Sequence, residues 1–261
     1  MLTFLRKLKK SLIDSGSTKK YFLYAIGEIL LVVVGILIAL QINNWNQNRL
    51  NALEENRLIG GIRDKIDVNR FQFGLGMATN MAVIAAAEKL LERTQKDATS
   101  LSNSQIEIHL HNLTKRFLLG KSNATHIYDE LIGSGQLGLL RSQELQKAIT
   151  ALKLQMQLLE SYEDLQNNFV DRELSPFLNR HTDRVKIYLE GSQHDTLFLE
   201  TRNILVDPDF KIRPQSGSYD ALFEDTQFSN LLLELLRHTK RLVPIYERIN
   251  EPMSRIEDLV N

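Results

Sequence analysis

The chain has 261 residues and no cysteine. That absence excludes a thiolate zinc site, an iron–sulfur cluster, a thiol nucleophile and an anchor lipidated on cysteine. Proline (5) and glycine (13) are sparse, so the chain is neither collagen-like nor a Pro/Gly-rich disordered segment. The P-loop pattern G-x-x-x-x-G-K-[ST], the nucleophile elbow G-x-S-x-G and the zinc motif H-E-x-x-H do not occur. Neither an internal repeat of fixed period nor a low-complexity tract is present. What is there is 43% hydrophobic and 25% charged, enough for one or two domains with a sizeable core.

Acids and bases balance at 32 each, yet they are unevenly placed. Residues 1–20 carry Arg6, Lys7, Lys9, Lys10, Lys19 and Lys20 against Asp14 alone. Residues 21–42, YFLYAIGEILLVVVGILIALQI, carry only Glu28. At 1.5 Å per residue such a helix is roughly 33 Å long, against a bilayer core of about 30 Å. Fourteen of its residues are Leu, Ile, Val or Phe. They favour insertion by on the order of 4 to 8 kcal/mol, while Glu28 opposes it by at most about 3. Tyr21, Phe22 and Tyr24 at one end and Trp45, the sole tryptophan, past the other match interfacial aromatic belts. The basic leader places the N-terminus in the cytoplasm and residues 43–261 on the far side. A cleaved signal peptide fits less well, because the apolar stretch is long and no A-x-A site follows it. Anionic lipid headgroups are nearer partners for the leader than nucleic acid.

Ala25, Glu28, Val32, Gly35, Ala39 and Ile42 recur three or four residues apart and form one seam, with Gly35 and Ala39 in small-xxx-small spacing. Two readings of Glu28 stand side by side: it faces a partner helix, or it is tolerated two turns inside the interface by snorkelling.

Residues 43–261 read as mainly α: a juxtamembrane helical stalk over 43–75, then a helical bundle over 76–261. Gly60-Gly61 weakens the stalk, and FQFGLG at 71–76 suggests a break. The next stripe is Met77, Met81, Ile84, Ala87 and Leu91. Ser104 with Glu107 reads as a capping box, with Ile106, Leu110, Leu113 and Phe117 as its helix's buried face and Gly120 as a stop. Ser142 is expected to open the longest helix, striped by Leu145, Ile149, Leu152, Met156, Leu159, Leu165 and Phe169 up to Pro176. The region 183–225 is irregular, with a short strand at 196–206. Phe228, Leu231, Leu235, His238, Leu242, Ile245 and Ile249 form a last seam, kinked at Pro244.

Tyr21–Ile42 with its flank NNWNQNR, and the later stretch YDELIGSGQL at 128–137, resemble a family of single-pass envelope proteins common in Bacteroidota. The match is specific over the first 50 residues and looser beyond about 170. That family's domain has no assigned function, so the resemblance implies a bacterial envelope protein and supplies no catalytic residue.

Local patterns that hint at chemistry are weak. Gly133, Ser134, Gly135 and the residues to Gly138 fit G-x-G-x-x-G, but the acidic IYDELI before them reads as a short helix, so a turn between helices is expected. His109 and His111 lie two apart and point to different sides of a helix. Glu234 and His238 are a single partial match to a di-iron pair. No catalytic residue, metal or cofactor is expected. The leading expectation is a non-enzymatic protein of the bacterial inner membrane whose periplasmic bundle binds or scaffolds an envelope protein, a membrane protein or another copy of itself. A ligand-binding sensor with a pocket among the helices is the alternative, and an enzyme with an unfamiliar site ranks third.

Overall fold

In a computed structural model the described residues are 18–95, 100–117, 126–194 and 218–261, with side chains of 18–21 and 126–127 left aside. The leader 1–17, the expected strand at 196–206 and Gly120 lie outside them. The chain is mainly α, with no strand among the described residues. It divides into two compact units, Met1–Arg57 and Leu58–Asn261.

Eight α-helices are described: α1 (Thr18–Arg93), α2 (Asn103–Leu113), α3 (His126–Gly133), α4 (Gln143–Phe169), α5 (Ser175–His181), α6 (Arg184–His194), α7 (Asp220–Glu224) and α8 (Thr226–Val260). A 3-10 turn at Gln136–Leu139 precedes α4, and a π-turn at Val170–Leu174 joins α4 to α5. In the second unit α8 runs antiparallel to α1. Lys240 pairs with Glu88 at one end, and Arg70 with Glu257 at the other.

The expected break at 71–76 is absent, since α1 is uninterrupted. From Ile62 its buried positions step four and three residues at a time through Ile66, Asn69, Phe73, Gly76, Asn80, Val83, Ala87 and Leu90. Phe73 is in the core, and that burial outweighs the roughly 1 kcal/mol each glycine costs in a helix. The same phase turns Met81 outward, 49% exposed, and Asn80 inward. Hydropathy alone assigns those two the other way round.

The capping box also moves. Ser102 accepts from the Gln105 backbone N–H at 3.2 Å, and Gln105 Oε1 accepts from the Ser102 N–H at 2.9 Å. Glu107 is thereby one turn inside α2 and buried. The helix stops at Leu113, and Phe117 is buried from the segment that follows, its backbone held by the Asn167 side chain.

Ser142 does cap α4, through the Leu145 N–H at 3.2 Å. That helix is shorter than α1 and α8. Pro176 does not end the helical path. The π-turn shifts the register, closing with the Ser175 N–H on Val170, and the ring falls in the first turn of α5. Of the stripe expected on α4, Leu165 is 50% exposed, while Glu163 and Gln166 are buried. The region 184–194 is helical rather than irregular. Every member of the α8 seam except the half-buried His238 is buried, and α8 continues through Pro244 and Pro252.

Two apolar cores result. One gathers Val83–Leu90 of α1 with α2, the π-turn, α5, Ile187 of α6, α7 and the first turns of α8. The other gathers Leu58–Phe73 of α1 with Tyr128 and Leu131 of α3, Leu145–Leu159 of α4 and Leu242–Val260 of α8.

Two glycines test this packing in opposite directions. A Cβ on Gly191 of α6 would collide with the His111 side chain of α2, so the helices touch there backbone to side chain. Gly191→Ala is expected to destabilise the second unit by about 1–3 kcal/mol. Nothing lies within 4 Å of a Cβ at Gly74, and Gly74→Ala is expected to stabilise by about 0.5–1 kcal/mol. Urea midpoints of the two variants measure both signs.

Candidate functional site

From Phe22 to Ile42 the apolar side chains of α1 are exposed on every side. Helix Phe22–Arg93 is long and apolar enough, by length and composition, to cross a membrane, and none of its most apolar window is buried. The core helix of a soluble protein, which is mostly buried, and a signal sequence near the N-terminus pass the same test. Glu28, Gly35 and Ala39 are exposed, and a Cβ on Gly35 would meet nothing within 4 Å. Trp45 is exposed and Tyr24 half-buried, while the Tyr21 side chain is outside the described set.

The glycine-rich stretch is a turn. Gly133 closes α3, Ser134 N–H donates to Glu130 C=O at 2.9 Å, and Gly135 takes φ 75°, which glycine adopts without strain. Leu140 beyond it is buried in the second core. A helix, not a strand, leads into the glycines, so the geometry is not that of a dinucleotide fold.

Among the described residues, three polar groupings built on buried tyrosines occupy the interior of the second unit. The first joins α2, α6 and the entry to α7. Glu107, 2% exposed, takes Lys186 Nζ at 2.7 Å and the Tyr219 hydroxyl at 3.0 Å on the same oxygen. Burial and then the neighbouring Glu107 push the Tyr219 hydroxyl far above its ordinary pKa, keeping it a proton donor. The second is Asn69 Nδ2 donating to the Tyr128 hydroxyl at 3.0 Å, with burial raising Tyr128 to about 12. The third is the Tyr246 hydroxyl donating to Glu163 at 3.1 Å between α8 and α4. Burial raises the Tyr246 pKa as well. All three hydroxyls are kept neutral, Tyr219 and Tyr246 as donors to carboxylates and Tyr128 as the acceptor from Asn69.

The described histidines do not converge. His111 lies 6.0 Å from the Tyr188 ring, His181 stacks on Phe177 at 4.1 Å, and His238 sits 3.2 Å from Glu234. Among the described residues no group of three or more His, Asp or Glu is placed to hold a metal. Buried polar groups were the feature that periodicity missed. Only the 4-3 phase of the seams, which places Asn80 and Gln166 inward, would have revealed them.

Comparison with protein-family models, with curated proteins and with solved structures gave no match.

Two consequences follow from the interior groups. Lys186→Met leaves the buried Glu107 charge uncompensated and is expected to cost about 3 kcal/mol or more, while Glu107→Leu with Lys186→Met recovers most of it. A double-mutant cycle by urea unfolding reads this directly. Burial, then Lys89, lowers the pKa of His109 below its ordinary 6.5. Burial also lowers His238, against Glu234. Both bind protons more weakly folded than unfolded, so stability is full above pH ~6.5 and falls as pH drops from there toward the folded values. His109→Asn is expected to flatten part of that slope in midpoints measured between pH 7.5 and 5.

Proposed function

We propose that this chain is a single-pass membrane protein of a bacterial inner membrane and that it acts by binding a partner rather than by catalysis. The observation that carries the reading is the segment Phe22–Ile42, whose apolar side chains are exposed on all sides and interrupted by one acid. Lipid is the solvent such a surface fits. The charge step from six bases before it to Arg49 against Glu54 and Glu55 after it supports a cytoplasmic N-terminus and a periplasmic second unit. The resemblance to single-pass envelope proteins points the same way. Within the membrane, Glu28, Gly35 and Ala39 form the face on which a partner helix, here a second copy, approaches closely.

The test uses the whole chain. The protein should stay with membranes through a carbonate wash, and protease added to spheroplasts should digest residues 43–261. Release by carbonate or protection of the C-terminal unit would overturn the anchor. The chain has no native cysteine, so single cysteines from 25 to 42 report without background. Disulfide crosslinking should peak at 28, 32, 35 and 39. A flat profile removes the self-association and leaves the anchor standing.

A further inference from the structure

The two apolar cores are separated by polar residues on all three long helices. On α1 the seam passes from Phe73 to Val83 through Thr79 and Asn80. On α4 it passes from Leu159 to Val170 through Glu163, Gln166 and Asn167. On α8 it passes from Leu236 to Leu242 through Thr239. Most of these groups are satisfied. Thr79 and Thr239 donate to the carbonyls of Leu75 and Leu235, Asn167 bonds both backbone groups of Phe117, and Glu163 takes the Tyr246 hydroxyl.

Asn80 and Gln166 are the exceptions. Both are 0% exposed, and among the described residues neither the nitrogen nor the oxygen of either amide has a hydrogen-bond partner. Gln166 lies one helical turn from Glu163. The pairs Lys240–Glu88 and Arg70–Glu257 set the α1–α8 register and bring Asn80 level with Tyr246. Both amides thus belong to the polar layer between the two cores that also holds the Glu163–Tyr246 contact. A buried polar atom without a partner destabilises the folded state, and four of them together weigh heavily against a domain of marginal stability. Native interiors answer such groups with a guest.

We propose that Asn80 and Gln166, with Glu163 and Tyr246, bind ordered internal water between the two cores. An amide offers two donors and two acceptor lone pairs, and water offers the same number of each. The amides carry no charge to attract an ion, and the Glu163 carboxylate is already engaged. Water bound here needs two to four polar partners, and this buried layer offers both amides, the Glu163 carboxylate and the Tyr246 hydroxyl.

The experiment uses the full chain in lipid nanodiscs. In the unaltered protein, NOE and ROE spectra should show cross-peaks from the Asn80 and Gln166 side-chain NH2 groups to water of long residence. Their absence overturns the proposal without any variant. Asn80→Leu and Gln166→Leu should each raise the unfolding equilibrium constant about tenfold, because each removes one wall of a shared site. The double variant should be no worse than the worse single one. Single variants that are each more stable than the parent, with effects that multiply in the double, would mean dry and independent amides and would also overturn it. Asn80→Ser, which leaves room for solvent, should keep the Gln166 water cross-peak even where the leucine variants fail to fold.

Discussion

The second unit depends on three helices each burying one stripe. A stripe stepping four and three residues faces its neighbours only while the helix holds its rotation about its own axis. Ile62, Ile66 and Phe73 on α1, Leu152, Met156 and Leu159 on α4, and Leu242, Ile245 and Ile249 on α8 are buried together in one core. Rotating α1 by one residue, about 100°, would bring Arg63 and Asp67 inward where Ile62 and Ile66 now sit. The apolar residues thus favour burial, and the charged residues beside them fix which face is buried. The satellite helices follow from that arrangement. α3 closes over Asn69 through Tyr128, while α2 and α6 pack on each other where Gly191 admits His111.

Where a signal rested on side-chain chemistry close in sequence, the residues announce the structure. Ser142 caps its helix, Gly135 adopts the left-handed turn, and the α8 seam is buried as its spacing implies. Where a signal rested on the cost of glycine or proline, tertiary burial overrode it. Gly74 and Gly76 lie inside α1, and Pro176 is accommodated after a π-turn. The capping box illustrates a subtler limit. Ser104–Glu107 and Ser102–Gln105 both satisfy the pattern, and only the burial of Glu107 against Lys186 and Tyr219, far along the chain, selects between them. Asn80 and Gln166 were illegible for a related reason. Patterns of apolar residues locate a seam, and a polar residue that belongs to it reads as an interruption.

The three buried tyrosines share one logic. Tyr219 and Tyr246 each donate to a buried carboxylate and Tyr128 accepts from an amide, and each joins elements far apart in sequence. A hydroxyl is well suited to this, because it buries a large apolar ring and supplies a directional bond at its tip. The first grouping also carries a full ion pair, since Lys186 reaches Glu107, and the second has none. Such bonds discriminate between packings more than they stabilise one, because each misregistered alternative leaves a buried polar group without a partner.

The first unit obeys the opposite rule. Leu30, Leu31, Val32, Val33 and Val34 are consecutive and all exposed, so they point in every direction around α1. A neighbouring helix covers a stripe roughly 100° wide and leaves most of such a circumference uncovered. A single neighbouring helix therefore leaves most of this segment uncovered, and the surrounding apolar medium proposed above matches its composition on every side. The seam of Glu28, Gly35 and Ala39 is meaningful only within that medium. In water a lone carboxylate on an exposed helix is unremarkable, while among acyl chains it is the one group on 21–42 with a strong reason to seek a partner. On the proposed reading the lipid comes first, and the seam is where association would follow from it.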